Sequence, residues 1–385
     1  LLSFLVLGDL HYDPAHFADF DLATQQLRRL EHDYIFQLGD VGGYHYPGSR
    51  ESFLDAQKIF ENFDQPVQTL MGNHDLEGEE FKSDEANLKA WMEVFQQTSP
   101  WRCIEMGDCL GILLSTTNFR HQPICSQQVS LGREQLEWLK TTLTHNKDRL
   151  TFIFCHVPII SSGLTTLLTP HLAAPNAFLD QTEDPFKYDD LLKENPQVRL
   201  WFSGHNHLGH QYRGSISQRH QCTFIHTGTM SSFSRDGLRQ SRHLKVHSDK
   251  IEIRTVDHNQ NNDYLDAELN LNNLEITHHQ HLQPQSLGKH RFTPAFDQQK
   301  KSWSIDNSTF QWHHDHLIEY DSSTSWPLGV VCRGEELPTR CDAKAIYVRT
   351  DTGERRFIKA PHQRFFRPHM PSPAYIRSGS PLAIT

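Results

Sequence analysis

Through roughly the first 255 residues, continuous apolar runs alternate with segments whose apolar positions recur at helical spacing. The runs Phe4–Leu7, Tyr34–Leu38, Val67–Met71, Gly111–Leu114, Leu150–Cys155 and Val198–Phe202 predict buried strands. Between them, Phe20–Leu30, Glu51–Phe63, Ala86–Phe95, Arg133–Leu143 and Tyr188–Lys193 carry the spacing of half-buried helices. This alternation predicts an α/β domain with covered sheets. Two later runs, Cys222–His226 and Lys250–Val256, follow one another without helices and predict a second, more antiparallel sheet.

Around Asp257 the pattern fades. The stretches "DHNQNNDYLDAELNLNNLE" and "THHQHLQPQ" are polar and lack strong apolar periodicity. They divide the chain into a main domain over 1–258, a polar linker over 259–289, a β-rich appendage over 290–365 and a loose Pro- and Ser-rich tail over 366–385. The appendage rests on two patterns. Phe310, Trp312, Ile318 and Tyr320 fall on one parity of a single stretch, and "AIYVRTDTGERRFIKA" has the form of a hairpin around a Gly-containing loop.

Composition narrows the class. Of the 385 residues 37% are apolar and 22% charged, which suits a folded soluble protein. The formal charge of −10 argues against a broad basic surface for nucleic acid or an anionic membrane. No apolar run approaches the roughly 18 residues a bilayer span requires. Seven scattered cysteines with no CxxC fit free thiols in a reducing compartment and a cytoplasmic location. One or two disulfides around Cys103 to Cys125 are the alternative. The chain opens with Leu1 and Leu2 directly in a strand, which leaves room for a removed leader.

The chemistry collects at the strand ends. The first run ends in Gly8-Asp9-x-His11, the second in Gly39-Asp40 and the third in Gly72-Asn73-His74-Asp75. Leu150–Cys155 is followed by His156, and Val198–Phe202 by Gly204-His205-Asn206-His207. In α/β sheets the carboxyl ends of strands are where sites form. A glycine before four of these clusters lets the backbone turn sharply without a Cβ penalty. Asp9, His11, Asp40, Asn73, His156, His205 and His207 make a set of carboxylate, amide and imidazole donors without thiolate. Such a set suits Mn, Fe or Zn rather than a structural Cys-rich zinc. Seven donors exceed one tetrahedral ion and fit two ions sharing a carboxylate, a pair able to clamp a phosphoryl displacement.

These five blocks, in this order, resemble the signature of the calcineurin-like metallophosphoesterases. The resemblance implies a four-layer α/β sandwich of two mixed sheets flanked by helices. It also implies that Asp9, His11 and His207 hold one metal, that Asn73, His156 and His205 hold the other, and that Asp40 bridges them. His74 is then a non-ligand that protonates the leaving oxygen or steadies the transition state, with Asp75 holding its imidazole. A neighbouring carboxylate raises the basicity of an imidazole and fixes its tautomer, which agrees with that assignment.

Two departures select a branch. The serine/threonine protein phosphatases of the superfamily follow the bridging Asp with an Asp-Arg-Gly whose Arg grips phosphate, whereas here "GDVGGYHYPG" runs on to Arg50 without one. Purple acid phosphatases place a ligating Tyr three residues after that Asp and lack the first-block His. Here that position is Gly43, with Tyr44 one residue late, and His11 is present. The pattern is most similar to the bacterial phosphodiesterase branch, including cyclic-nucleotide phosphodiesterases.

The expected function is therefore two-metal hydrolysis of a small phosphoester, with nucleotides among the candidates and no extensive nucleic-acid or membrane contact. A non-catalytic protein-binding scaffold on the same fold and a nuclease are the rivals. Tyr44, His45, Tyr46 and Arg50, on the loop after Asp40, are candidates for substrate contact. Cys155 alternates with its neighbour His156 and belongs in the core. The clusters "HHQH" at 278–281 and "HHDH" at 313–316 read as a polar linker and a solvated strand face rather than metal sites. Trp303, Trp312 and Trp326 read as the core of a small β unit.

Overall fold

The computed structural model describes residues 1–121, 128–159, 162, 178–180 and 187–280, and the backbone of 302–305, 308–313, 316–321 and 326–333. In chain order the main domain contributes β1 (Leu2–Leu7), β2 (Tyr34–Gln37), β3 (Val67–Thr69), β4 (Arg102–Met106), β5 (Cys109–Leu114), β6 (Thr151–Cys155) and β7 (Val198–Ser203). These are followed by β8 (Ile216–Arg219), β9 (Cys222–His226), β10 (Gln240–Val246), β11 (Lys250–Asp257), β12 (Asn262–Asn270) and β13 (Ile276–His278). The helices are α1 (Phe17–Arg28), α2 (Arg50–Phe60), α3 (Asp84–Val94), α4 (Gly132–His145) and α5 (Lys187–Glu194).

Two mixed sheets result, with strand orders β13-β12-β11-β10-β1-β2-β3 and β4-β5-β6-β7-β9-β8. Because side chains alternate across a strand, β1 serves two cores. Phe4 and Val6 point between the sheets, where Phe4 packs on Phe152 with ring centroids 5.6 Å apart and Phe36 stacks on Phe154 at 3.9 Å. Leu5 and Leu7 point the other way, into a cluster with Phe20, Ala23 and Leu27 of α1. Burial on both faces explains why these strands are continuous apolar runs. Helices flank the sheets, giving the expected α/β sandwich. Helix starts follow local chemistry: Ser49 and Ser83 accept from Ser52 N and Ala86 N at the heads of α2 and α3.

Two expectations change. The runs 222–226 and 250–256 do not share a separate sheet: β9 lies parallel to β7 in one layer, and β11 is antiparallel to β10 in the other. The segment 259–289 is not a linker throughout, since β12 and β13 extend the first sheet. Its polar composition reflects cross-strand pairing. Arg254 meets Asp263 at 3.2 Å, Lys250 pairs with Glu268, and buried Asp266 pairs with buried Arg242. A register shift at Ile253/Arg254 further breaks the two-residue period.

In the C-terminal region, β14 (Ser302–Ile305), β15 (Ser308–His313), β16 (His316–Asp321) and β17 (Trp326–Arg333) form an antiparallel sheet in sequential order. The single stretch expected around Phe310–Tyr320 is therefore two strands, paired Phe310 to Glu319. The hairpin expected over 345–360, the tail over 366–385 and Cys125 lie outside the described residues. Cys103, Cys109, Cys155 and Cys222 are free, and the last three are buried. Among the described residues no helix is long and apolar enough to cross a membrane.

Candidate metal centre

β1, β2 and β3 run parallel, as do β6 and β7, so the loops that follow them leave the two sheets on a common side. There the seven expected donors meet, all of them buried. Asp9 Oδ1 accepts the amide of His205 at 2.7 Å, and Asp9 Oδ2 lies 2.7 Å from His207 Nε2. His11 Nδ1 donates to the Gly42 carbonyl, which leaves the Nε2 lone pair facing His207 Nε2 at 3.0 Å. His156 is oriented the same way, with Nδ1 donating to the Leu38 carbonyl at 2.7 Å. Its Nε2 lies 3.1 Å from Asn73 Oδ1 and 3.3 Å from His205 Nδ1.

Asp40 stands between these groups. Its Oδ1 accepts the amide of His74 at 2.8 Å. Its Oδ2 is buried outside any well-formed hydrogen bond, 3.0 Å from His156 Nε2 and 3.7 Å from His11 Nε2. Two sets of donor atoms result, each drawn together within 4.8 Å: Asp9, His11, Asp40 and His207, and Asp40, His156 and His205. Asp40 belongs to both. A buried carboxylate oxygen without a well-formed hydrogen bond, set between two converging imidazole sets, is what a pair of cations would satisfy, so the residues fit the group.

Protonation alone resolves the crowding poorly. Burial would raise Asp9 and Asp40, yet the surrounding imidazoles, His207 foremost for Asp9 and His156 for Asp40, hold both below the usual carboxylate range. Burial would lower His156, but Asp40 and Asp9 raise it to about 9. Burial and His207 instead push His11 down to about 3. Neighbouring histidines are thus driven in opposite directions within one cavity.

The backbone is bent to build this arrangement. His11, Asp40, His205 and His207 have φ of 41°, 52°, 69° and 50°, in the left-handed region that non-glycine residues avoid. The glycines act mostly by a different route from the expected sharp turn. Only Gly39 among the four has a positive φ, 88°. At Gly72 an added Cβ would lie 2.1 Å from Asp40 Oδ1, and at Gly204 2.3 Å from Asp9 Oδ1. Their missing side chains make room for the carboxylates. Gly204→Ala is expected to displace Asp9 at a stability cost of about 1–3 kcal/mol and to weaken metal loading, read by thermal melting and elemental analysis.

Asp75 does not hold the His74 ring. Its Oδ2 accepts from Asp40 N and Gly72 N at 2.7 and 2.8 Å, and its Oδ1 from Val41 N at 2.9 Å. It clamps the turn carrying Asp40 to the turn carrying Asn73. The carboxylate beside His74 is that of Glu77, whose Oε2 lies 2.7 Å from Nδ1. One short 3-10 turn, His74–Leu76, separates them, and side chains three apart eclipse in that geometry. The His-x-x-Glu spacing was the available sequence signal. Burial would lower His74, but Asp40 and Glu77 raise it to about 9, leaving an imidazolium at the mouth of the cavity. Its side chain is 23% exposed, so solvent can reach it.

Of the four loop candidates only Tyr44 borders the cluster, stacking on His11 with centroids 4.4 Å apart. Tyr46 donates to Asp55, Arg50 pairs with Glu93, and exposed His45 lies 3.5 Å from Asp13. Sequence reading also missed Phe233, whose ring meets Tyr44 edge to face at 4.8 Å, and Thr229, which donates to the Asp9 carbonyl. The loop bearing His205 and His207 is pinned by both sheets, through β9 of its own and β10 of the other. His226 Nε2 donates to the Leu208 carbonyl, and Gln240 Oε1 accepts from His210 N.

The sandwich and its seven-donor cavity define a metallophosphoesterase-type α/β protein. Residues 2–209, just over half the chain, match the calcineurin-like phosphoesterase family, and the chain belongs to that family. No curated protein matches it in sequence. Among solved structures it is similar to a dimetal phosphatase from Danio rerio, with 14% identity, a TM-score of 0.52, and coverage of 69% of this chain and 98% of the other. A purple acid phosphatase from yellow lupin, Lupinus luteus, aligns at 12% identity and a TM-score of 0.47, covering 69% and 52%. A phosphoesterase-like protein from Streptococcus pneumoniae aligns at 10% identity and a TM-score of 0.31, covering 69% and 97%.

Proposed function

We propose that this chain is a two-metal hydrolase of small phosphoesters. Asp9, His11 and His207 hold one ion, Asn73, His156 and His205 hold the other, and Asp40 bridges them. The observation that carries this reading is the Asp40 Oδ2 atom, buried without a well-formed hydrogen bond between His156 and His11. The donor chemistry favours Mn, Fe or Zn. When bound, such ions polarise a phosphoryl group and lower the pKa of a coordinated water. His74, a cation held by Glu77, supplies the proton to the departing alcohol oxygen. Asp75 keeps the Asp40 and Asn73 turns in register. The net charge of −10 supports a small substrate over a long nucleic acid. A phosphodiester is the preferred class, following the branch its blocks resemble.

The test is a paired assay on a phosphomonoester and a phosphodiester dye with Mn, Fe, Zn and Mg, together with elemental analysis. About two ions per chain and metal-dependent turnover are expected. Stoichiometric metal without turnover of any ester would leave a scaffold role instead. Stripping the metal is expected to lower stability by about 3 kcal/mol per ion, the linkage expected for an ion held near a hundred times its dissociation constant.

A further inference from the structure

The mouth of the cavity carries an aromatic surface that the hydrolytic reading leaves without a role. The Tyr44 ring lies parallel to the His11 imidazole, 16° apart in plane, and its hydroxyl is 3.4 Å from His11 Nε2. Yet the residue remains 40% exposed. Its neighbours stand to the side. The separations His11–Tyr44 of 4.4 Å, Tyr44–Phe233 of 4.8 Å and His11–Phe233 of 6.2 Å place Phe233 nearly at a right angle to the stacking axis. His74 lies 5.3 Å away, also edge-on. Among the described residues no ring packs on the face opposite His11, which is framed by Phe233 and His74.

The loop presenting this ring is rigid. Gly43 N donates to the Tyr12 carbonyl, and buried Asn87 donates to the Gly48 carbonyl. Gly48, at φ 67°, runs so close to Gly78 and Glu77 that a Cβ would lie 2.6 Å from Gly78 N. The loop is thereby locked to the segment that carries Glu77. A pre-ordered aromatic face loses little freedom on binding.

We infer that Tyr44 is a specificity-determining residue: its face opposite His11 stacks on a flat unsaturated ring in the organic part of the substrate, while its hydroxyl donates to a phosphoryl oxygen. The inference rests on the phosphoester reading. The hydroxyl sits beside the donor atom of His11, where a phosphoryl group would lie, and the ring stands 5.3 Å from His74, the group proposed to protonate the departing oxygen. A nucleobase and a simple aryl group share the required chemistry. A saturated ring of the same size does not, because it lacks the π-face that makes aromatic stacking favourable.

The experiment uses the full chain loaded with Mn and measures binding of phenylphosphonate, cyclohexylphosphonate and adenosine monophosphate by calorimetry. Phenylphosphonate is expected to bind about tenfold more tightly than cyclohexylphosphonate, within the range stacking supplies. Tyr44→Phe should keep that ratio while weakening both ligands equally, and Tyr44→Leu should bring the ratio to one. Adenosine monophosphate losing more than phenylphosphonate in Tyr44→Leu would identify a nucleobase as the natural ring, and equal losses an aryl group. A parent ratio near one, or a ratio preserved in Tyr44→Leu, overturns the inference and leaves the hydrolase reading standing. The expected ratios without turnover of any ester would support the stacking face and remove the hydrolase reading. No phosphonate binding at all overturns both.

Discussion

Asp40→Asn is expected to cut turnover by at least about a thousandfold, equivalent to roughly 4 kcal/mol of transition-state stabilisation. It should also reduce metal content below two ions per chain. The substitution is selective. The amide oxygen can still accept the His74 N–H that Oδ1 now receives, so the turn is preserved. What is lost is the charge at Oδ2 and its ability to serve both donor sets, because an amide NH2 in that place points hydrogens at His156 and His11. Burial makes the loss severe, since Asp40 is fully buried and a neutral amide cannot replace the lost charge there. Elemental analysis and steady-state rates check the result together. Two tightly held ions with parent activity in the variant would remove Asp40 from its bridging role.

His74→Asn is expected to retain both metals while losing about a hundred- to ten-thousandfold in turnover, the range for a removed general acid. The loss should grow as the leaving alcohol becomes more basic, because a poor leaving group needs the proton most. Glu77→Gln should fall in the same direction by a smaller factor, near tenfold, since the amide oxygen still receives a hydrogen bond from Nδ1. It should also move the alkaline limb of the rate profile to lower pH. The Glu77 charge helps raise His74 to about 9, and removing it lets the imidazolium lose its proton earlier as pH rises. Asp75→Asn separates the two carboxylates by function. It disturbs the backbone bonds joining the Asp40 and Gly72 turns, so it should cost metal and stability rather than alter the leaving-group dependence. If Asp75→Asn reproduced the leaving-group dependence of His74→Asn and Glu77→Gln did not, the orienting role would return to Asp75.

That contrast shows where sequence reading reached its limit. Adjacency suggested Asp75 as the partner of His74, but in a tight turn neighbouring side chains diverge while those three apart align. The strand ends were legible because a strand buried on both faces must be apolar throughout, so the first Gly, Asp or His marks its end. β12 was not, because its buried positions include Asp266, neutralised by an Arg242 that lies 24 residues away in sequence. The glycines were recognised as necessary but for an incomplete reason. Gly72 and Gly204 are required by the carboxylates of Asp40 and Asp9, which the chain brings back from more than 30 and 190 residues away.

The order of residues alone determined the class of fold, the ends of the strands and the identity of the donor atoms, because periodicity and ligand chemistry are local properties. Tertiary structure decided which carboxylate is shared between the two donor sets, which carboxylate faces His74 and which ring stacks on Tyr44. Those facts depend on distances between segments remote in sequence, set by how two sheets pack around Phe4, Phe36 and Phe154 and not by any single stretch of chain.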